Sequence, residues 1–290
     1  MTKDWMHDLL CSRRPARFCL CAFLLCACPV PFRAAAYAQA TTGASPQLRS
    51  QAGDAALPDA PLPQAGYSDA ATVRNTPMHT LQDQKTIWTS PLRIRAHDME
   101  WLAPLAAATG AAIATDHRAM SSVVSQNPSF NNASVNASNA LVGGIIVAPV
   151  ALYGFGHFRD DAHARESGIL GSEAIADGVV VEQGLKLVFW RERPALDNAR
   201  GLFFQRGAGI DSSFPSSHSV VAWSSAAVIA EEYPSRWVRV GVYSLAAGVS
   251  VTRVLGQQHF PSDVLVGSAA GWLIGHAVYK ARHRHLPSAR

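Results

Sequence analysis

The stretch GILGSEAIADGVVVEQGLKLVFW at residues 168–190 decides the fold. It is apolar for more than twenty positions and shows no strand-like alternation of apolar and polar side chains, so it reads as a helix. It also carries Glu173, Asp177, Glu182 and Lys186, an expensive set to place in hydrocarbon. Working outward, comparable helical segments run over residues 99–115, 140–155, 219–230, 238–255 and 263–279. The expectation is an all-α bundle of six helices occupying residues 87–285, with the chemistry in about 168–280. Residues 116–139, rich in Asn and Ser, read as a polar surface loop between the first two helices. The first two segments fall a little short of the roughly 20 apolar residues that crossing a bilayer takes, and the fourth is clearly short.

The N-terminus reads as an export signal over residues 1–38. Arg13, Arg14 and Arg17 form a basic region, residues 18–32 an apolar one, and Ala36-Tyr37-Ala38 a small-x-small cleavage pattern. Cleavage there would remove all five cysteines: Cys11, Cys19, Cys21, Cys26 and Cys28. An uncleaved anchor and a lipid on Cys28 are the alternatives. Residues 39–86, rich in Ala, Pro, Gly, Ser and Gln, read as a disordered linker. With 48% hydrophobic and 16% charged residues, a net charge of +4 and no dense Lys/Arg run, nothing points to a nucleic-acid partner. The protein is expected in a bacterial-type periplasm or cell envelope, associated with or integral to the membrane. Its oligomeric state is not legible.

Three clusters carry chemistry. Lys186 and Arg193 lie seven residues apart, on one helical face, with Pro194 ending the helix behind them. Two cations so placed can hold the oxygens of a dianion, Lys as a point charge and Arg as a fork. The bland alternative is a solvated helix end, which Arg191 and Glu192 resemble. Pro215-Ser216-Ser217-His218 opens the next helix, where Ser216 or Ser217 can cap it and the first-turn N–H groups suit an anion. Arg253, His259 and Asp263 straddle a break made by Gly256 and Pro261. Asp263 is near enough to accept a hydrogen bond from one ring nitrogen of His259, which fixes its tautomer and frees the other nitrogen to attack. Trp190, Phe203, Phe204 and Phe260 flank the clusters and read either as core or as an apolar cleft for a lipid chain.

In that order, the three clusters resemble the signature of the type 2 phosphatidic acid phosphatase family, whose site is shared with class A acid phosphatases and vanadium haloperoxidases. The run HFPSDVLVGS at residues 259–268 is most similar to the lipid-phosphatase branch. The resemblance implies a six-helix core and a phosphatase acting on a phosphomonoester or diphosphate of a lipid or small molecule. It implies His259 as nucleophile forming a phosphohistidine, Asp263 as its orienting partner, and His218 as general acid and then base. Lys186, Arg193, Arg253, Ser216 and Ser217 would hold the phosphoryl oxygens, with no metal and no cofactor required. The chain departs from the family where Ser217 replaces the usual Gly, a change that would cost about 1 kcal/mol if the position needed positive φ. Thr252, standing before the arginine where Ser is usual, is a milder change. A vanadate-dependent haloperoxidase and a non-catalytic envelope protein of the same fold are the rival functions.

Overall fold

The structure is a computed structural model that describes residues 71–205 and 211–282. The expected signal segment and residues 39–70 of the expected linker lie outside the described residues. Among the described residues the regular structure is all helical, with no strand. The helices are α1 (Thr76–Thr89), α2 (Met99–Arg118), α3 (Pro128–Phe158), α4 (Ala162–Phe189), α5 (Ser217–Glu232), α6 (Arg236–Leu255) and α7 (Pro261–Arg282).

Two sequence expectations are corrected here. The linker reading of residues 39–86 fails at its end, because Thr76–Thr89 is a helix packed on α4. Its composition is polar, and Gln84 anchors it by donating to the backbone and side-chain oxygens of Asp177 at 3.1 and 3.0 Å. The loop reading of residues 116–139 also fails. Asp116 to Arg118 complete α2, a π turn spans Ala119–Val123, and α3 begins at Pro128. Asn127 caps α3 by accepting from the N–H groups of Ser129 at 2.9 Å and Phe130 at 3.3 Å, and Pro128 occupies a first-turn position where no N–H is needed. The Asn/Ser composition that suggested a loop is therefore a cap followed by the polar first turns of a 31-residue helix.

α4 and α5 sit at the centre. α5 touches α3, α4, α6 and α7, while α4 touches α1, α3, α5 and α7. One core cluster joins Val142 of α3 to Val221, Ala222 and Ala226 of α5 and to Ala246 and Val249 of α6. A second joins Leu170, Ala174 and Val181 of α4 to Val228 of α5 and to Ile274 and Val278 of α7. The four charges of α4 that looked costly for hydrocarbon all point inward: Glu173, Asp177, Glu182 and Lys186 are buried. Two close helix crossings depend on glycine. A Cβ on Gly168 would sit 2.5 Å from the Pro149 carbonyl of α3, and one on Gly275 would collide with the Ser224 carbonyl of α5.

α3 and α6 are long and apolar enough to cross a membrane. In α3 only 17% of the most apolar window is buried, and Ile146, Val147, Val150 and Phe155 face outward. The apolar run read over residues 140–155 is the C-terminal half of this 31-residue helix, and its N-terminal extension to Pro128 is polar.

Candidate active site

Four chain segments deliver the predicted residues to one place. α4 brings Lys186 in its last turn and then stops, Trp190 taking a left-handed conformation with φ of 38°. The Lys186 ammonium donates to Ser217 Oγ at 2.7 Å and lies 3.3 Å from Glu182 Oε2, to which Ser217 Oγ in turn donates at 3.0 Å. Arg193 is held rather than solvated. Its Nε donates to the Asp211 carbonyl at 3.1 Å, and its Nη1 lies 3.3 Å from both the backbone carbonyl and Oε1 of Gln258.

Ser216 occupies the N-cap of α5, but its side chain caps nothing. Its N–H donates to the Asp263 carbonyl at 3.1 Å, and its hydroxyl is buried with no hydrogen bond. Ser217 is the first helical residue and is absent from the positive-φ backbone positions, so the position asks for no glycine and the feared strain does not arise. His218 Nε2 lies 3.0 Å from Asn139 Oδ1 of α3, and Arg253 Nη1 approaches the same oxygen at 3.4 Å and Ser138 Oγ at 3.3 Å. An arginine can only donate, so the shared Asn139 atom is the acceptor and His218 carries its hydrogen on Nε2. The proton that titrates on His218 therefore resides on Nδ1.

His259 is 1% exposed, and its Nδ1 lies 2.7 Å from the backbone carbonyl of Ser213. A carbonyl only accepts, so Nδ1 bears the hydrogen and Nε2 keeps the lone pair. The expected orienting partner, Asp263, stands 3.7 Å from Nδ1, beyond hydrogen-bonding distance. Its Oδ2 instead accepts the Phe260 N–H at 2.8 Å, tying down the start of α7, and its Oδ1 accepts Arg191 Nη1 at 2.5 Å. The sequence reading of Asp263 as the direct holder of the tautomer is thus corrected: the Ser213 carbonyl holds it.

Arg191, read from the sequence as resembling a solvated helix end, is 1% exposed and is the hub of a buried network. It pairs with Asp263 and, through Nη2, with Asp116 Oδ2 at 2.7 Å. Its guanidinium lies 4.5 Å from the Phe203 ring centroid and 4.1 Å from that of Phe260. Asp116 also accepts from the N–H and hydroxyl of Ser262. This network locks the ends of α2 and α4 to the start of α7, directly behind His259. Phe203 and Phe260, considered from the sequence as a cleft for a lipid chain, here cover Arg191.

The electrostatics follow from burial among cations. His259 is held well below the usual imidazole range, first by burial and then by the charges of Arg253 and Arg193. His218 is pushed down to about 3, first by burial and then by Arg253, with His259, Lys186 and Arg193 adding to it. Burial lowers Lys186 against the opposing pull of Glu182. Burial raises Asp263 to about 6, with Arg191 opposing. A phosphoryl dianion among Lys186, Arg193 and Arg253 would offset their charges and lift both histidines.

The chain is similar to known proteins over this region. The PAP2 superfamily profile matches residues 168–287, which include all eight predicted site residues. A further similarity is to the lipid A 1-phosphatase of Porphyromonas gingivalis, 38% identical over 69 residues. That match covers 23% of this chain and 16% of the relative, so the chain spans about a sixth of the relative's length. A solved PAP2 structure, the transmembrane phosphatidylglycerolphosphate phosphatase of Bacillus subtilis, aligns over 73% of this chain and 99% of its own at a TM-score of 0.45 and 18% identity. Ser138 and Asn139, which touch Arg253 and His218, come from α3 and so lie ahead of the PAP2 match.

The residues that sequence reasoning missed had unequal signals. Glu182 stands four residues before Lys186, a spacing that predicts an ion pair. Asn139 and Asp116 were hidden in a stretch read as loop. Ser213 acts through its backbone, which no side-chain pattern reports.

Proposed function

We propose that this protein is a phosphatase that removes phosphate from a phosphomonoester or diphosphate of a membrane lipid, through a phosphohistidine on His259. The observation that carries the reading is the pairing of a buried, neutral His259, Nε2 lone pair available, with three cations whose charges bear on it: Lys186, Arg193 and Arg253. In the first step His259 Nε2 attacks phosphorus, the P–O bond to the leaving group breaks, and His218 gives its Nδ1 proton to the departing oxygen. In the second, water attacks the phosphohistidine, His218 takes the water's proton, and the N–P bond breaks to release inorganic phosphate. The cations stabilise the equatorial oxygens as charge redistributes, which is the part a metal plays in other phosphoryl-transfer sites.

The lipid substrate is supported by the similarity to a lipid A 1-phosphatase and by the outward-facing apolar surface of α3, which suits membrane association. Export to the cell envelope, with residues 1–38 as the signal, is part of the proposal and is checked by N-terminal sequencing of the mature protein. The activity is tested by phosphate release from purified protein without added metal, against phosphatidate, a prenyl diphosphate and a soluble aryl phosphate. Release that vanishes in His259→Ala, together with the acid-labile labelled phosphoenzyme, is expected. Undiminished release in that variant would overturn the nucleophile, and no release from any substrate would overturn the phosphatase.

A further inference from the structure

A second polar cluster lies away from the active site, where α1 and the end of α7 pack on α4. Asp83 of α1 and Glu173 and Asp177 of α4 bring one carboxylate oxygen each to within 4.8 Å of one another. Along α4, Glu173 and Asp177 precede Lys186 by thirteen and nine positions, which at about 1.5 Å per residue separates the cluster from the phosphate-binding end by roughly 14–20 Å.

Each carboxylate spends one oxygen on a protein partner. Asp83 Oδ1 accepts from Arg282 Nη2 at 2.8 Å, Glu173 Oε1 from Arg282 Nε at 3.3 Å, and Asp177 Oδ1 from Gln84 Nε2 at 3.0 Å. The other three oxygens, Asp83 Oδ2, Glu173 Oε2 and Asp177 Oδ2, are buried and make no hydrogen bond. Glu173 and Asp177 are both 0% exposed, and the nearest nitrogen to Glu173 Oε2 among the ion pairs is His79 Nδ1 at 3.5 Å. When ionised, these three carboxylates carry more negative charge than the guanidinium of Arg282 offsets, even with the His79 ring beside Glu173, which is costly unless something compensates it.

We propose that Asp83, Glu173 and Asp177, with His79 at their edge, form a site for one hard divalent cation of the Ca²⁺ or Mn²⁺ kind that fastens α1 to α4. Positive charge is what the cluster lacks, and carboxylate oxygens are the ligands such cations prefer. The spacing fits as well. Oxygens bound to one Ca²⁺ ion at about 2.4 Å each lie at most about 4.8 Å apart, and the three oxygens here fall within that limit. A cavity of about 230 Å³, lined in part by Asp83, Ile87, Ile274, Val278 and Arg282, opens beside the cluster and offers a path in. The other way to settle the charge is a proton shared between carboxylates, and the two differ in what they bind.

The test is titration of the full-length, EDTA-treated protein in detergent with Mn²⁺, followed by electron paramagnetic resonance, with Ca²⁺ as competitor. One bound Mn²⁺ per chain, displaced by Ca²⁺ and weakened at least about tenfold by Asp177→Asn, is expected. Mn²⁺ should also raise the melting temperature of the wild type and leave that of Asp177→Asn unchanged. Should Asp177→Asn not fold, Asp83→Asn, at the half-buried rim, takes its place in both measurements. No bound Mn²⁺, or equal binding in wild type and variant, overturns the site. A variant more stable than the wild type with no Mn²⁺ bound by either would assign the cluster to a shared proton.

Discussion

At the residue scale, the division of labour around His259 is the most testable result. Its tautomer is set by the Ser213 carbonyl, and Asp263 anchors α7 and neutralises Arg191. Asp263→Asn should therefore act mainly on stability, at about 3–5 kcal/mol, because it leaves the buried guanidinium half-paired. Thermal unfolding beside the turnover of the folded fraction checks this. A variant that melts like the wild type yet turns over nothing would return the orienting role to Asp263. Ser217 is a second case. Its hydroxyl accepts from Lys186 and donates to Glu182, so Ser217→Ala should cost about 1 kcal/mol and lower kcat/KM, chiefly through KM. An unchanged KM would show that Lys186 is placed by Glu182 alone. The histidines set the acid limit. His218 sits at about 3 against 6.5 for the free side chain, so between those values the unfolded chain binds the extra proton. Stability from His218 is thus complete above about pH 6.5 and is lost as pH falls toward 3, and His259 acts in the same direction. Burial raises Asp263 to about 6, which works in the opposite direction, so the test is a difference: from about pH 7.5 to 4.5 the melting temperature of the wild type should fall relative to that of His218→Asn, and should fall less with phosphate bound. Parallel profiles for the wild type and His218→Asn would contradict the burial of the His218 ring.

At the element scale, the site exists because helix ends meet. α5 and α7 approach closely enough for residues 216 and 263 to share a backbone hydrogen bond, and that approach requires glycine at three successive turns of α7: Gly267, Gly271 and Gly275. A Cβ at Gly275 would enter the Ser224 carbonyl, a backbone atom with no rotamer to escape into. Gly275→Ala should destabilise by about 1–3 kcal/mol despite the higher helix propensity of alanine, with the loss read by denaturant unfolding. Gly241 of α6, whose Cβ would meet nothing within 4 Å, is the control, and its alanine variant should be neutral or slightly stabilising. Equal effects at both positions would remove close packing as the explanation.

At the scale of the whole molecule, buried charge inside and apolar surface outside suit α3 and α6 to contact with a nonpolar phase. The protein should stay with the membrane fraction through a high-salt wash and leave it in detergent. Release by salt alone would contradict a lipid-facing α3. The same arrangement lets a charged pocket and a membrane coexist, since the charges of α4 are turned toward the bundle centre.

Much of this was written in the chain. Local spacing announced a helical domain, and the three clusters named the cations, both histidines and the carboxylate that the fold brings to one region. Those signals are short-range: a helix face, a proline stop, a cap. What the linear order could not carry were relations between distant segments. Asp116 meets Arg191 across 75 positions and Asn139 meets His218 across 79, each from a stretch whose polar composition suggested a loop. Whether Asp263 reaches His259 or Arg191 is a matter of about one ångström, set by how α7 packs on α2, α4 and α5. Composition and periodicity report which side chains are available, but hydrogen bonds and buried charge pairs form at distances that close packing alone resolves.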